Sequence, residues 1–91
     1  MGQIIAKADT IRILTAEGCP LSKASPYADA FFEYQTAQAN INEHGAIVSH
    51  PRTNAPLENP FLKIRNMAHE RLEKIAKSGI GKGVEKLWSN Q

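Results

Sequence analysis

The sequence predicts a mainly α domain: a small helical unit with a short β-hairpin or extended loop between two long antiparallel helices. Three observations predict it. Apolar residues recur at helical spacing through two long stretches, one on each side of residues 45–59. Gly45 suits the end of the first stretch, and Asn59-Pro60 suits the start of the second. Between them a short β-prone run, Ala46 to His50, meets turn chemistry at Arg52 to Ala55 and returns through Pro56 to Glu58.

Each element follows from local chemistry. Gln3 to Ala16 reads as a first helix, with Ile4, Ala8, Ile11 and Leu14 on one stripe and Gly18 as a left-handed terminator. Leu21 to Ala24 reads as a connector. Ser25-Pro26 then reads as N-cap and first helical residue of the next helix. That helix carries Tyr27, Ala30, Phe31, Tyr34, Ala37, Gln38 and Ile41 along its apolar face, with Phe32 beside it, and closes at His44-Gly45. Pro60 to Ser78 is the longest predicted helix, capped by Asn59. Its predicted buried stripe is Phe61, Ile64, Met67, Ala68, Leu72, Ile75 and Ala76, with Glu70–Lys74 and Glu73–Lys77 as supporting pairs. Gly79 ends it, with Ile80 as a folded-back apolar contact. Val84 to Trp88 forms a last short helix anchored by Trp88. Residues 1–91 make a single domain, in which 79–91 is a C-terminal tail or short helix.

Composition narrows the chemistry. A net charge of +2 does not announce nucleic-acid binding, but its distribution is uneven. Residues 1–51 hold three Lys or Arg against five acids, and residues 52–91 hold eight against four. One end then reads as acidic and the other as basic, either an electrostatic footprint for DNA or an acidic partner, or two ordinary solvated surfaces. Cys19 is the single cysteine, which excludes an internal disulfide and fits a reducing compartment. The N-terminal apolar run is too short for a secretory leader or a membrane span.

No catalytic constellation stands out. His44, His50 and His69 share no metal-ligand spacing with one another or with Cys19, and no Ser–His–Asp or Cys–His set can be assembled. Gly79-Ile80-Gly81-Lys82-Gly83 lacks Walker spacing and follows a helix, so it reads as a helix stop and connector rather than a phosphate cradle. The chain is read as a non-enzyme with no cofactor and no metal. The basic helix offers Lys63, Arg65, Arg71 and Lys74 as candidate DNA contacts, directed at phosphates rather than base edges, because the connection before it is too long for a helix-turn-helix. The first helix is apolar on more than one side, so Ile4, Ile11 and Leu14 are candidate partner contacts and an oligomer is expected.

The ordered string from Tyr27 to Ile80 resembles the small subunit of phage terminases. The resemblance lies in Phe31-Phe32-Glu33-Tyr34, then Ile41-Asn42-Glu43-His44-Gly45, Val48, His50-Pro51, Asn59-Pro60, and Leu62-Lys63-Ile64-Arg65 through Ala68 and Leu72. It implies a role in viral DNA packaging, in which small subunits assemble into oligomers, recognise the packaging sequence and present it to a large subunit that holds the ATPase and nuclease. The implied partners are a phage terminase small subunit or further copies of the chain, with DNA and the large subunit beyond them, and no membrane. The implied compartment is the cytoplasm of the bacterial host. Family members carry a basic leader before their first helix and a Gly-Leu segment after the long one. Here the chain opens at Gln3, and Gly81-Lys82-Gly83 follows Gly79-Ile80. Those departures fit either a short phage subunit or a shortened version that joins a partner small subunit and changes which genome is selected, the device of phage satellites. The rival reading is a small helical DNA-binding transcription regulator.

Overall fold

The computed structural model describes residues 4–79 and 83–89. Four helices and one hairpin follow in order: α1 (Lys7–Ala16), α2 (Leu21–His44), β1 (Ile47–Ser49), β2 (Pro56–Glu58), α3 (Phe61–Lys77) and α4 (Gly83–Ser89). The predicted fold class holds. α2 and α3 form the long pair, α1 packs on α2, and α4 packs on α1. The β strands pair antiparallel, with Ile47 opposite Glu58, Val48 opposite Leu57 and Ser49 opposite Pro56.

The first helix starts later than predicted. Ile4 to Ala6 are non-helical, and Gln3 lies outside the described residues. Backbone at Ile5 is held instead by Gln35, whose Oε1 accepts from the Ile5 N–H (2.7 Å) and whose Nε2 donates to the Ile5 carbonyl (3.1 Å). The helix also turns a different face inward. Thr10 and Leu14 are buried while Ala8 is exposed. Thr10 tolerates this because its hydroxyl donates to the Ala6 carbonyl at 3.1 Å, leaving the methyl to pack. Gly18, at φ 93°, ends the helix as predicted. The N–H of Cys19 reaches the Leu14 carbonyl (3.0 Å) and that of Gly18 reaches Thr15 (3.1 Å), the paired bonds of a Schellman stop.

α2 corrects the sequence reading at its start. Leu21 to Ala24 is helical, and Pro26 sits inside the helix instead of opening it. Pro20 occupies the entry position, and its carbonyl accepts from the N–H groups of Lys23 (3.0 Å) and Ala24 (2.9 Å). The extra turn forms because it carries Ala24 to complete burial beside Tyr27 and Ala28. Pro26 leaves the Ser22 carbonyl without its helical donor, a local cost that tertiary burial outweighs.

The core gathers Leu14, Cys19, Ala24, Tyr27, Ala30, Phe31, Leu72 and Leu87. Trp88 closes it as predicted. Its indole N–H donates to the Tyr27 hydroxyl (2.9 Å), and its ring meets Phe31 and Tyr34 edge-on at 5.1 and 5.0 Å. Gly83 opens α4 against Leu14, where an added Cβ would lie 3.1 Å from the Leu14 Cα. At the C-terminus of α3, Gly79 has φ 86° as the stop requires, and Lys23 Nζ donates to the Ser78 carbonyl at 2.7 Å. The Ile80 contact predicted to follow lies outside the described residues.

Asn59 is the joint between α2, the hairpin and α3. It is 2 % exposed. Its Oδ1 accepts from the Phe61 N–H (3.0 Å), the bond of an N-cap, with Pro60 already in helical conformation. Its Nδ2 donates to Asn40 Oδ1 (3.0 Å) and to the Gly45 carbonyl (2.9 Å), and its own N–H donates to the Ala46 carbonyl (2.8 Å).

Candidate interaction site

α3 meets α2 along Phe61, Arg65, Ala68, Leu72 and Ile75, which recur every three or four residues and are all buried or half-buried. The predicted stripe was rotated from this seam. Ile64 (42 % exposed) and Met67 (56 %) lie outside the core, and Ala76 is exposed as well. The seam centres on Ala68, whose small side chain admits close approach to the alanine-rich face of α2. An apolar residue one position off that centre is left on the shoulder.

That shoulder forms one wall of an open cleft of about 530 Å³ between α2 and α3. Ile64 and Met67 supply its apolar surface, Glu70, Arg71 and Lys74 its α3 rim, and Glu33 and Thr36 its α2 rim. Arg71 pairs with Glu33 across the cleft. The predicted Glu70–Lys74 and Glu73–Lys77 pairs do not close; Glu73 instead lies 3.1 Å from His69 Nδ1. Lys74 and Lys63 are exposed and carry no hydrogen bond or ion pair among the described residues. Arg65 is committed differently. Its guanidinium donates to Gln38 (3.2 Å) and to Asn66 (3.1 and 3.3 Å) and stays half-buried at the seam. Of the four candidate DNA contacts, the cleft therefore brings Arg71 and Lys74 together, Lys63 is free on the solvent side, and Arg65 is tied to α2.

The candidate partner contacts divide more sharply. Ile4 is 45 % exposed, Ile11 is half-buried against the core, and Leu14 is fully buried. Leu14 is thus withdrawn as a surface contact. The surplus apolar face that the sequence suggested is covered from within, because α4 lays Gly83 and Leu87 on α1. Gln35 and Asn59 are the functional-looking polar residues that pattern reading passes over or undervalues. Gln35 gave no signal, since a glutamine on an apolar face acquires meaning only when another segment's backbone docks on it.

The acidic and basic halves do not form two ends. α2 and α3 lie side by side, and Glu33 and Glu17 of the acidic half pair with Arg71 and Lys86 of the basic half. Among the described residues no three His, Cys, Asp or Glu side chains cluster to hold a metal, and no helix is long and apolar enough to cross a membrane. Burial raises the Tyr27 hydroxyl above the usual tyrosine range, against the opposing effect of the Trp88 hydrogen bond.

Compared with known proteins, residues 22–78 match the family model described as phage terminase, small subunit. Comparison with curated proteins and with solved structures gives no match.

Proposed function

This chain belongs to the phage terminase small subunit family, and from that premise we propose that it is a non-enzymatic specificity factor that assembles with itself or with a phage terminase small subunit to select the DNA packaged. The family supports a role in phage DNA packaging, and its small subunits are generally non-catalytic. The observation that carries the reading is the match across α2, the hairpin and α3, the elements that Asn59 locks together. On this reading Ile4 and Ile11 remain candidate partner contacts, and Lys63, Arg65, Arg71 and Lys74 remain candidate DNA contacts. Lys63 and Lys74 lead the latter group, because Arg71 must leave Glu33, and Arg65 must leave Gln38, before either can take a phosphate.

Weak phosphate contacts from one copy gain strength when several copies are arrayed, so the basic residues act through the assembly. A change of packaging choice, including redirection by a satellite, is the outcome of joining a partner's assembly. The test is co-expression with a phage terminase small subunit, co-purification, and sequencing of the DNA packaged with and without the chain. A co-purifying complex and an altered packaged population are expected. Tight binding of one duplex sequence by the chain alone, with no association with terminase proteins, would replace this reading with the transcription regulator.

A further inference from the structure

The hairpin has one open edge and one closed edge. The ladder bonds fix which groups point where. Asn59 N–H bonds to the Ala46 carbonyl, and His50 N–H bonds to the Ala55 carbonyl, at 2.8 and 2.9 Å. Opposed pairs in an antiparallel ladder alternate between bonded and unbonded. Val48–Leu57 is therefore a bonded pair, and the Ile47–Glu58 and Ser49–Pro56 pairs turn their backbone groups outward. On β2 that outer edge is blunted: Pro56 has no N–H, and Glu58 brings a charge. On β1 it is open. Among the described residues the sheet has two strands, the side chains of Ile47 (61 % exposed) and Ser49 are exposed, and neither residue's outward N–H or carbonyl has a partner.

We propose that β1 pairs antiparallel with β1 of a second copy, joining two hairpins into one four-stranded sheet ordered β2–β1–β1–β2. The proposal rests on the assembly reading above and names the surface for it. Three features select a second copy as the occupant. The register is self-complementary: centred on Val48, it sets each Ile47 opposite the other copy's Ser49, so that both outward N–H groups and both outward carbonyls of each strand are used. Ala46 to His50 contains no Asp, Glu, Lys or Arg, so no such like charges meet across the pair. Sheet growth through this edge ends at one pairing, because both outer edges of the joined sheet are the Pro56 edges.

The test is sedimentation of the full chain over a concentration series, beside Ile47→Pro and Ile47→Lys. Proline at 47 deletes an outward N–H while leaving the bonds at 46, 48 and 50 in place, and lysine adds like charge across the register. A reversible dimer is expected for the parent chain, with association weakened about tenfold or more in both variants while helical circular dichroism is retained. Amide exchange at Ile47 and Ser49 should slow on dimerisation and quicken on dilution. If Ile47→Pro loses helicity, Ile47→Lys and the exchange data decide. A parent chain that stays monomeric at hundreds of micromolar, or a dimer indifferent to Ile47→Lys with unprotected Ile47 and Ser49 amides, overturns the proposal. A chain that fails here yet co-purifies with a terminase small subunit leaves the packaging reading standing.

Discussion

Asn59 shows how much one side chain can hold. Its amide makes three hydrogen bonds to groups from three places in the chain, while its backbone N–H makes a fourth. Loss of the cap alone would cost about 1 kcal/mol. Asn59→Ala also strands the Gly45 carbonyl and the Asn40 side chain, so denaturant melts should show about 2–3 kcal/mol of destabilisation. Asn59→Asp separates the two roles. Aspartate keeps an acceptor for Phe61 but turns an oxygen toward the Asn40 and Gly45 oxygens, so it should not restore the parent melt; full rescue would reduce Asn59 to a cap. Tyr27 gives a second test at this scale. Its pKa is raised in the folded state by burial. The stability it contributes is therefore fully present below the ordinary tyrosine value of about 10 and is lost as pH rises through the higher folded value. Phenolate absorbance, read against Tyr27→Phe, should show Tyr27 ionising above the ordinary range. Ionisation of Tyr27 at the ordinary value would place it in solvent.

At the scale of elements, what the sequence made legible was what local chemistry decides. The stops at Gly18 and Gly45, the Asn59-Pro60 start, the hairpin and the Trp88 anchor all depend on backbone conformation or on a residue whose size leaves few alternatives. What stayed hidden depended on neighbours. Ser25-Pro26 has better start chemistry than Leu21, yet burial of Ala24 and Tyr27 draws the helix one turn earlier. Replacing Pro26 by Ala restores a donor for the Ser22 carbonyl. The helix-propensity gain of up to about 3 kcal/mol exceeds the 0.4–1 kcal/mol or so by which proline restrains the unfolded chain. A higher melting temperature is therefore expected, and a lower one would mean that the proline ring contributes to packing. Periodicity likewise placed α3 apolar residues on a helix without revealing which neighbour would face them. Leu72 sits on the seam and Met67 on the shoulder. Leu72→Ala should cost on the order of 2–5 kcal/mol, while Met67→Ala should cost under about 0.5 kcal/mol in the isolated chain. Similar losses at both sites would mean that Met67 is covered in solution.

For the whole molecule, charge is the property that folding rearranges most. Read along the chain, an acidic half precedes a basic one; in space the halves lie side by side along α2 and α3, and Glu17 and Glu33 draw Lys86 and Arg71 into pairs. These pairs are exposed and individually weak, but they reduce the cationic groups free to meet phosphate. Lys63 and Lys74 stay available on α3, with Lys77 exposed at its end. Two or three phosphate contacts per copy correspond to a slope of log K against log salt of about −2 to −3 on duplex DNA. A single copy should therefore bind duplex weakly and without strong sequence preference, and lose that binding steeply as salt rises. Paired or arrayed copies should steepen the slope in proportion to the contacts engaged together. Fluorescence anisotropy with a labelled duplex across a salt series measures this directly. The double variant Lys63→Glu/Lys74→Glu should flatten the slope and abolish capture while sedimentation of the chain is unchanged, since neither lysine lies on the β1 edge. Unchanged DNA binding in that variant would move the contact off α3, and salt-insensitive binding would show that phosphates are not what the molecule holds.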